Sequence, residues 1–192
     1  MSKNKDIGLK ISLIGGKAVI KDIEEIMMSF ACFIDTSNSV RQYRYGDAMK
    51  TIPLQDGRKI IFSLTNARLS KSPSDVFKDS SIVILVYNVK NSASFFKLDQ
   101  KYIAEVKKNA PKNVVLGVIG MKKRNIKTGI DDVTPNLFAQ DHRALFLLFD
   151  GENDKVLNDF FLKLAEKALE ITELSNQIET NDPEEPEGVD SD

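Results

Sequence analysis

The stretch "KISLIGGKAVIKD", Lys10 to Asp22, decides how the rest of the chain is read. Leu9–Ile14 is a short apolar run that reads as a buried strand and stops at Gly15-Gly16. From Val19 onward, Ile23, Ile26, Met27, Phe30 and Phe33 recur at helical spacing. Strand, glycine loop and helix follow one another as they do in a loop that cradles phosphate, for which the pattern is GxxxxGK followed by Ser or Thr. The eight positions from Gly15 to Asp22 keep Gly15 and Lys21 but place Ile20 at the second glycine and Asp22 at the hydroxyl. The plainer reading of Gly15-Gly16 alone is a tight turn after a strand.

Beyond this stretch the sequence alternates. Met49–Leu54 and Lys59–Leu64 are strand-like, and Asp56-Gly57 between them signals a hairpin, because such a turn needs positive φ. Ile82–Tyr87, "IVILVY", is the continuous β-branched run of a central parallel strand. Asn91 or Ser92 can cap a helix whose stripe is Phe95, Leu98, Tyr102, Ile103 and Val106. Val114–Gly120 is another strand, Pro135–Asp141 a short helix, and Ala144–Phe149 the last strand. Val156, Phe160, Leu164, Ala168 and Ile171 line a final helix. The expected architecture is α/β: a six-stranded, mostly parallel sheet with one antiparallel edge and about five helices. Ligands in such sheets bind at the carboxyl ends of the strands, here Gly15–Asp22, Thr65–Lys78, Gly120–Asn125 and Asp150–Asp154.

The composition, with 192 residues, 42% apolar and 29% charged, suits one globular domain. The expected division is an N-terminal extension over 1–8, a domain over 9–172 and an acidic tail over 173–192. Glu179–Asp192 holds seven acids and no Lys or Arg, leaving 27 bases against 21 acids elsewhere. That tail is expected to be disordered, as a solubilising extension or a cover for the basic body. The body is only mildly basic and lacks the cation runs interleaved with aromatics that nucleic acid requires. No run of about 18 apolar residues offers a membrane span. The single cysteine, Cys32, suggests a reducing compartment and reads as a small buried hydrophobe on a helix.

In "KISLIGGKAV" (Lys10–Val19), "DSSIVILVYNVKNSASF" (Asp79–Phe95), "EVKKNAPKNVVLGVIGMK" (Glu105–Lys122) and "LFLLFDGENDKVLNDFFLKLA" (Leu145–Ala165), the chain resembles a Ras-superfamily small GTPase, most like the Rab branch. The resemblance spans roughly Leu9 to Leu169. Its most specific part is the "APxNV" element, here Ala110 to Val114. It implies a P-loop GTPase fold and candidate, degenerate nucleotide-binding residues at Gly15, Lys21, Asp22 and Lys122, with no catalytic and no metal-binding residue assigned.

The other motifs of the family depart further. "LTNARLS", Leu64–Ser70, stands where DxxG would bind Mg²⁺ and sense the γ-phosphate, and the glutamine that orients water is missing there. The guanine-reading NKxD corresponds to Met121–Arg124, in which only Lys122 matches. The later SAK loop corresponds to Asp150-Gly151-Glu152 and has lost its lysine. Anchored on Gly46, the switch threonine falls at Arg44; Thr36 and Thr51 are the nearest threonines.

The resemblance with these departures implies a pseudo-GTPase that binds other proteins in vesicle trafficking or related regulation. Whether it is an enzyme stays open, with the missing groups pointing away from catalysis. The alternative is an atypical GTP-binding switch with slow hydrolysis, and a small-molecule enzyme reusing the strand ends is a third reading. No cofactor is expected under the first reading; GTP or GDP with Mg²⁺ is expected under the alternative. The expected partners are trafficking regulators or effectors, not nucleic acid. No cysteine follows Cys32 and residue two is Ser, so no lipid anchor is expected. The location implied is cytoplasmic, with membranes reached through a partner.

The remaining residues have plain readings. His142 is a surface or cap residue, and Phe95, Phe160 and Phe161 are core. Lys122-Lys123-Arg124 is a basic loop, either solvated or facing an acidic partner. Asp22 with Lys21 is expected to fill the anion site itself. Asn38–Met49 and Ser70–Lys78 are expected to be fixed recognition loops or disordered.

Overall fold

The computed structural model describes residues 6–33, 40–55, 57–123, 129–131 and 133–179. Seven strands form one sheet: β1 (Ile7–Ile14), β2 (Val40–Arg44), β3 (Asp47–Pro53), β4 (Lys59–Asn66), β5 (Ile82–Asn88), β6 (Val115–Met121) and β7 (Leu145–Phe149). Their order across the sheet is β2-β3-β4-β1-β5-β6-β7. β3 pairs antiparallel with both β2 and β4, and the other pairings are parallel. The sheet thus has one strand more than the six expected. The added strand is β2, inside Asn38–Met49, the segment expected to be a fixed recognition loop or disordered. "VRQYR" is too polar to signal a strand alone, and it forms by pairing Val40–Arg44 with Asp47–Thr51. The β3–β4 hairpin is as expected, with Gly57 at φ +84°.

The helices are α1 (Ile20–Cys32), α2 (Pro73–Phe77), α3 (Ser92–Lys97), α4 (Ile103–Asn109), α5 (Val133–Asp141) and α6 (Asp154–Glu179). A π-turn over Leu98–Tyr102 joins α3 to α4, making five rods among the described residues. Asn91 caps α3, its side chain accepting from the Ser94 amide at 3.2 Å. α2 lies within Ser70–Lys78, so part of that segment is a short helix anchored by the fully buried Phe77. α6 reaches Glu179, so residues 173–179 continue the helix where the tail was expected to begin. The disorder expected beyond Glu179 lies outside the described residues.

Each face of the sheet carries its own core. α1 buries Ile23, Ile26, Met27 and Phe30, spaced three and four residues apart, against the face that also holds α6. Phe30 stacks on Phe161 with centroids 4.1 Å apart and meets Phe62 edge-on at 5.3 Å. β4 alternates buried Ile60, Phe62 and Leu64 with more exposed neighbours, because this face is the better covered. The opposite face packs Phe95, Leu98, Tyr102 and Val106 under β5 and β6. β5 sits between β1 and β6, covered on both sides, and its first six residues are all buried. Phe95, Phe160 and Phe161 are core as expected. Cys32 is exposed, not buried, because it ends α1 off the apolar stripe.

This arrangement locates a crevice. The connection from β1 leads to α1 on one face, and that from β5 leads to α3 on the other. The adjacent carboxyl ends of β1 and β5 therefore form the switch point at which a doubly wound sheet ordinarily binds its ligand.

Candidate nucleotide site and its internal cross-links

Gly15, the residue after β1, runs so close to β5 that an added Cβ would lie 2.4 Å from the Val86 carbonyl oxygen and 2.4 Å from a methyl of Val19. Val19 is fully buried, filling the space behind the loop. Lys17–Val19 form a 3₁₀ turn, with the Val19 amide donating to the Gly16 carbonyl at 3.0 Å, and run directly into α1. No residue from Gly15 to Asp22 has positive φ. A phosphate nest needs backbone N–H groups turned inward by alternating right- and left-handed residues. From Lys17 onward this loop is instead wound as helix, after an extended Gly16.

Asp22 is only 7% exposed, and Asn88 Nδ2 donates to its Oδ2 at 2.9 Å. The Asn88 Oδ1 accepts from the Lys90 amide at 3.0 Å, which leaves its NH₂ facing Asp22. This hydrogen bond spans the switch-point crevice from α1 to the end of β5. Burial pushes the Asp22 carboxyl above the usual carboxylate range, while the Asn88 hydrogen bond and the Lys123 charge oppose it. The two residues expected to fill the anion site are separated. Lys21 is exposed and forms no ion pair with a described residue, so Asp22 turns inward to Asn88 instead of pairing with Lys21.

Glu24 ties two further elements to α1. Tyr43 on β2 donates its hydroxyl to Glu24 Oε2, and Asn66 Nδ2 at the end of β4 donates to Glu24 Oε1 at 3.0 Å. Asn66 is 1% exposed, and its Oδ1 accepts from the Arg68 amide at 3.1 Å. Burial and the Glu24 carboxylate raise the Tyr43 phenol to about 12.

Glu25 completes the set. Its Oε2 accepts from Lys123 Nζ at 2.8 Å, which holds the lysine above its ordinary value. Its Oε1 lies 2.5 Å from where a Cβ on Gly151 would stand. Gly151 sits at φ +84°, a backbone conformation that favours glycine. Of the basic loop, Lys123 thus faces an acidic partner within the same chain. Lys122 donates its amide to the Phe149 carbonyl at 2.8 Å, beside a cavity of about 190 Å³ lined by Leu148, Phe149, Asp150, Asn153 and Val156. That is below the roughly 300 Å³ at which ligand pockets begin, and Gly15, Lys21 and Asp22 do not line it. Asp150 fixes the loop before α6, its Oδ1 accepting from the Glu152 and Asn153 amides at 2.9 and 3.1 Å, and Asn153 caps α6, its Oδ1 accepting from the Val156 amide at 3.2 Å. Arg124, Asn125 and Thr36 lie outside the described residues.

The four candidate residues therefore do not converge. Gly15 packs on β5, Lys21 faces solvent, Asp22 faces Asn88, and Lys122 lies at the far side beside β7. What converges instead is Asp22, Glu24 and Glu25 with Asn88, Tyr43, Asn66 and Lys123. The signal for it in the sequence was the acid run in "KDIEE" at the start of α1.

A family model described as the Ras family matches residues 65–170, more than half of the chain. The chain belongs to the Ras family. The matched part of this Ras-family protein starts at Thr65 and holds β5, β6 and β7, while the loop at Gly15 and the three acids of α1 lie before it. A search of curated proteins gave no match. In the family a triphosphate with Mg²⁺ would occupy the crevice, and the residues present do not fit it. The loop lacks the nest geometry, and a carboxylate stands at the hydroxyl position. Two like charges about 4 Å apart repel by roughly 4 kcal/mol at an effective dielectric of about 20.

Proposed function

We propose that this Ras-family protein is a Rab-like pseudo-GTPase that works without a nucleotide cycle, as a protein-binding module in vesicle trafficking or related regulation. One observation carries the reading. Three acids of α1 hold the ends of β5 and β4, β2, and the loop after β6, through Asn88, Asn66, Tyr43 and Lys123. A switch GTPase lets its γ-phosphate and Mg²⁺ order such loops and releases them on hydrolysis. Here side-chain hydrogen bonds do the ordering and have no hydrolysable part.

The surface offered to partners is the β2–β3 ribbon. β2 is the edge strand of the sheet, and Tyr45 at its turn is 76% exposed. Exposed edges recruit extended segments through main-chain hydrogen bonds. The Rab-like character rests on Ala110 to Val114. No helix among the described residues is long and apolar enough to cross a membrane, and the protein reaches membranes from the cytoplasm through its partner. The competing reading, a slow GTP-binding switch, requires Asp22 to leave Asn88 and Lys21 to fold back over the loop.

Hydrogen exchange of the purified protein, alone and with excess GTP or GDP and Mg²⁺, tests this reading. Unchanged protection in β2, Asn66–Phe77 and the α1 start is expected. Nucleotide-dependent protection there would overturn it.

A further inference from the structure

A second surface lies at the other end of the sheet, where β6 and β7 begin. It is a groove of about 550 Å³ between the end of α4, the Pro111–Val114 turn, the α5–β7 turn and one face of α6. Its floor is apolar, from Val106, Val114, Leu116 and Ile171. Its rim carries Lys107, Lys112, Arg143 and Lys167, all exposed, against one acid, Glu170. An apolar floor under a cationic rim suits an extended acidic chain with a few apolar groups.

Arg143 adds an independent observation. It is the only described residue other than glycine at positive φ, at 54°. Its amide donates to the Gln140 carbonyl at 2.9 Å, and the Ala144 amide to the Ala139 carbonyl at 2.8 Å. These two bonds make a left-handed helix end, a position that normally takes glycine. A long cation is held there at the expense of backbone comfort, directly on the rim.

We propose that the groove binds the chain's own acidic segment, Thr180–Asp192. That segment holds six acids, no Lys or Arg, and only Pro183, Pro186 and Val189 as apolar groups of any size. It leaves the carboxyl end of α6, whose negative dipole end repels further acids. The last turn of α6 contains no basic residue to offset this. The cations of the groove flank the same helix. Ile171 lies about 12 Å back from Glu179 at about 1.5 Å per residue. Five extended residues, to Glu184, span about 16 Å at about 3.1 Å each. Glu184, Glu185 and Glu187 therefore reach the rim when the chain doubles back along α6. Binding there makes the groove available to another acidic segment only after the tail leaves.

Paramagnetic broadening in the full chain tests this. A spin label goes on Ser191→Cys in a Cys32→Ser background, and backbone amide signals are read at low salt. The proposal expects loss of intensity at Lys107, Asn113, Arg143 and Ile171. It expects none at Gln42–Arg44, about 29 Å away across the sheet at about 4.8 Å per strand. The loss should vanish near 1 M salt, where screening acts over about 3 Å, and in Lys112→Glu/Lys167→Glu. Arg143→Gly should reduce it without lowering the melting temperature, since glycine suits that backbone. Absence of broadening, broadening centred elsewhere, or persistence in the charge-reversed protein would overturn the proposal. So would broadening of labelled, spin-free protein by unlabelled spin-labelled protein, which would place the tail on a second copy.

Discussion

Lys123 Nζ stands 2.8 Å from Glu25 Oε2, joining the first helix to the loop after β6 across 98 positions of sequence. The other Glu25 oxygen is packed against Gly151 in the loop after β7. One side chain of α1 thus holds the loop after β6 and lies beside the loop after β7, two loops that in the Ras family meet the nucleotide base. The lysine is half-exposed, with 51% of its side chain open, and the glutamate is 28% exposed. Such pairs contribute about 0.2–1 kcal/mol. Lys123→Ala is expected to lower stability within that range, and the exchange Glu25→Lys/Lys123→Glu to recover part of it. A double-mutant cycle in urea reads the coupling directly.

Asp22 is the inverse case, a carboxylate whose burial costs stability. Its folded-state value is raised above 3.8, so between 3.8 and that value the folded protein binds more protons than the unfolded chain. Stability therefore falls as pH rises through that window, and the cost is fully present at neutral pH. Asp22→Asn, which can still accept from Asn88, is expected to raise the melting temperature at pH 7. The gain should shrink as pH falls through that window and level off below 3.8, where Asp22 is protonated in both states. Melting curves of both proteins across pH check the sign.

Glu24 gives a test of order. Glu24→Ala leaves the buried Asn66 amide without its acceptor, at a cost of about 1–3 kcal/mol. Tyr43 is 38% exposed, so water can replace its partner, and Tyr43→Phe should cost less than about 1 kcal/mol. Glu24→Ala should also speed hydrogen exchange in β2 and at Ala67–Leu69 together, while Tyr43→Phe affects β2 alone.

Lys50 is fully buried beneath α1 and α6, donating to Asn158 Oδ1 at 2.7 Å with its ammonium 4.7 Å from the Phe30 ring centroid. Asn158→Leu removes one acceptor from a buried charge and should cost about 1–3 kcal/mol. Lys50→Met/Asn158→Leu replaces polar atoms on both sides, and should cost less than the two single changes summed. Equilibrium unfolding of the three variants checks the non-additivity.

Much of the fold was legible because its strands are written in runs of β-branched residues and its helices in clear stripes. Ile82–Asn88 and the Ile23–Phe30 stripe needed no partner to be recognised. β2 was not, since Val40–Arg44 carries no apolar pattern and exists only by pairing with β3. Cys32 was misread from its residue type, its position on α1 counting for more. At the site, the loss of the nucleotide motifs was readable residue by residue. Their replacement was not: Asp22, Glu24 and Glu25 have partners 66, 19, 42 and 98 positions away, and only the sheet order brings them within reach.

The central claim is that side chains of α1 now hold the crevice that a guanine nucleotide would occupy. Titration calorimetry of the full chain with GTP and GDP, in Mg²⁺, tests it most directly. The account predicts no binding heat up to millimolar nucleotide. Micromolar or tighter binding of either nucleotide, abolished by Lys21→Ala, would contradict it.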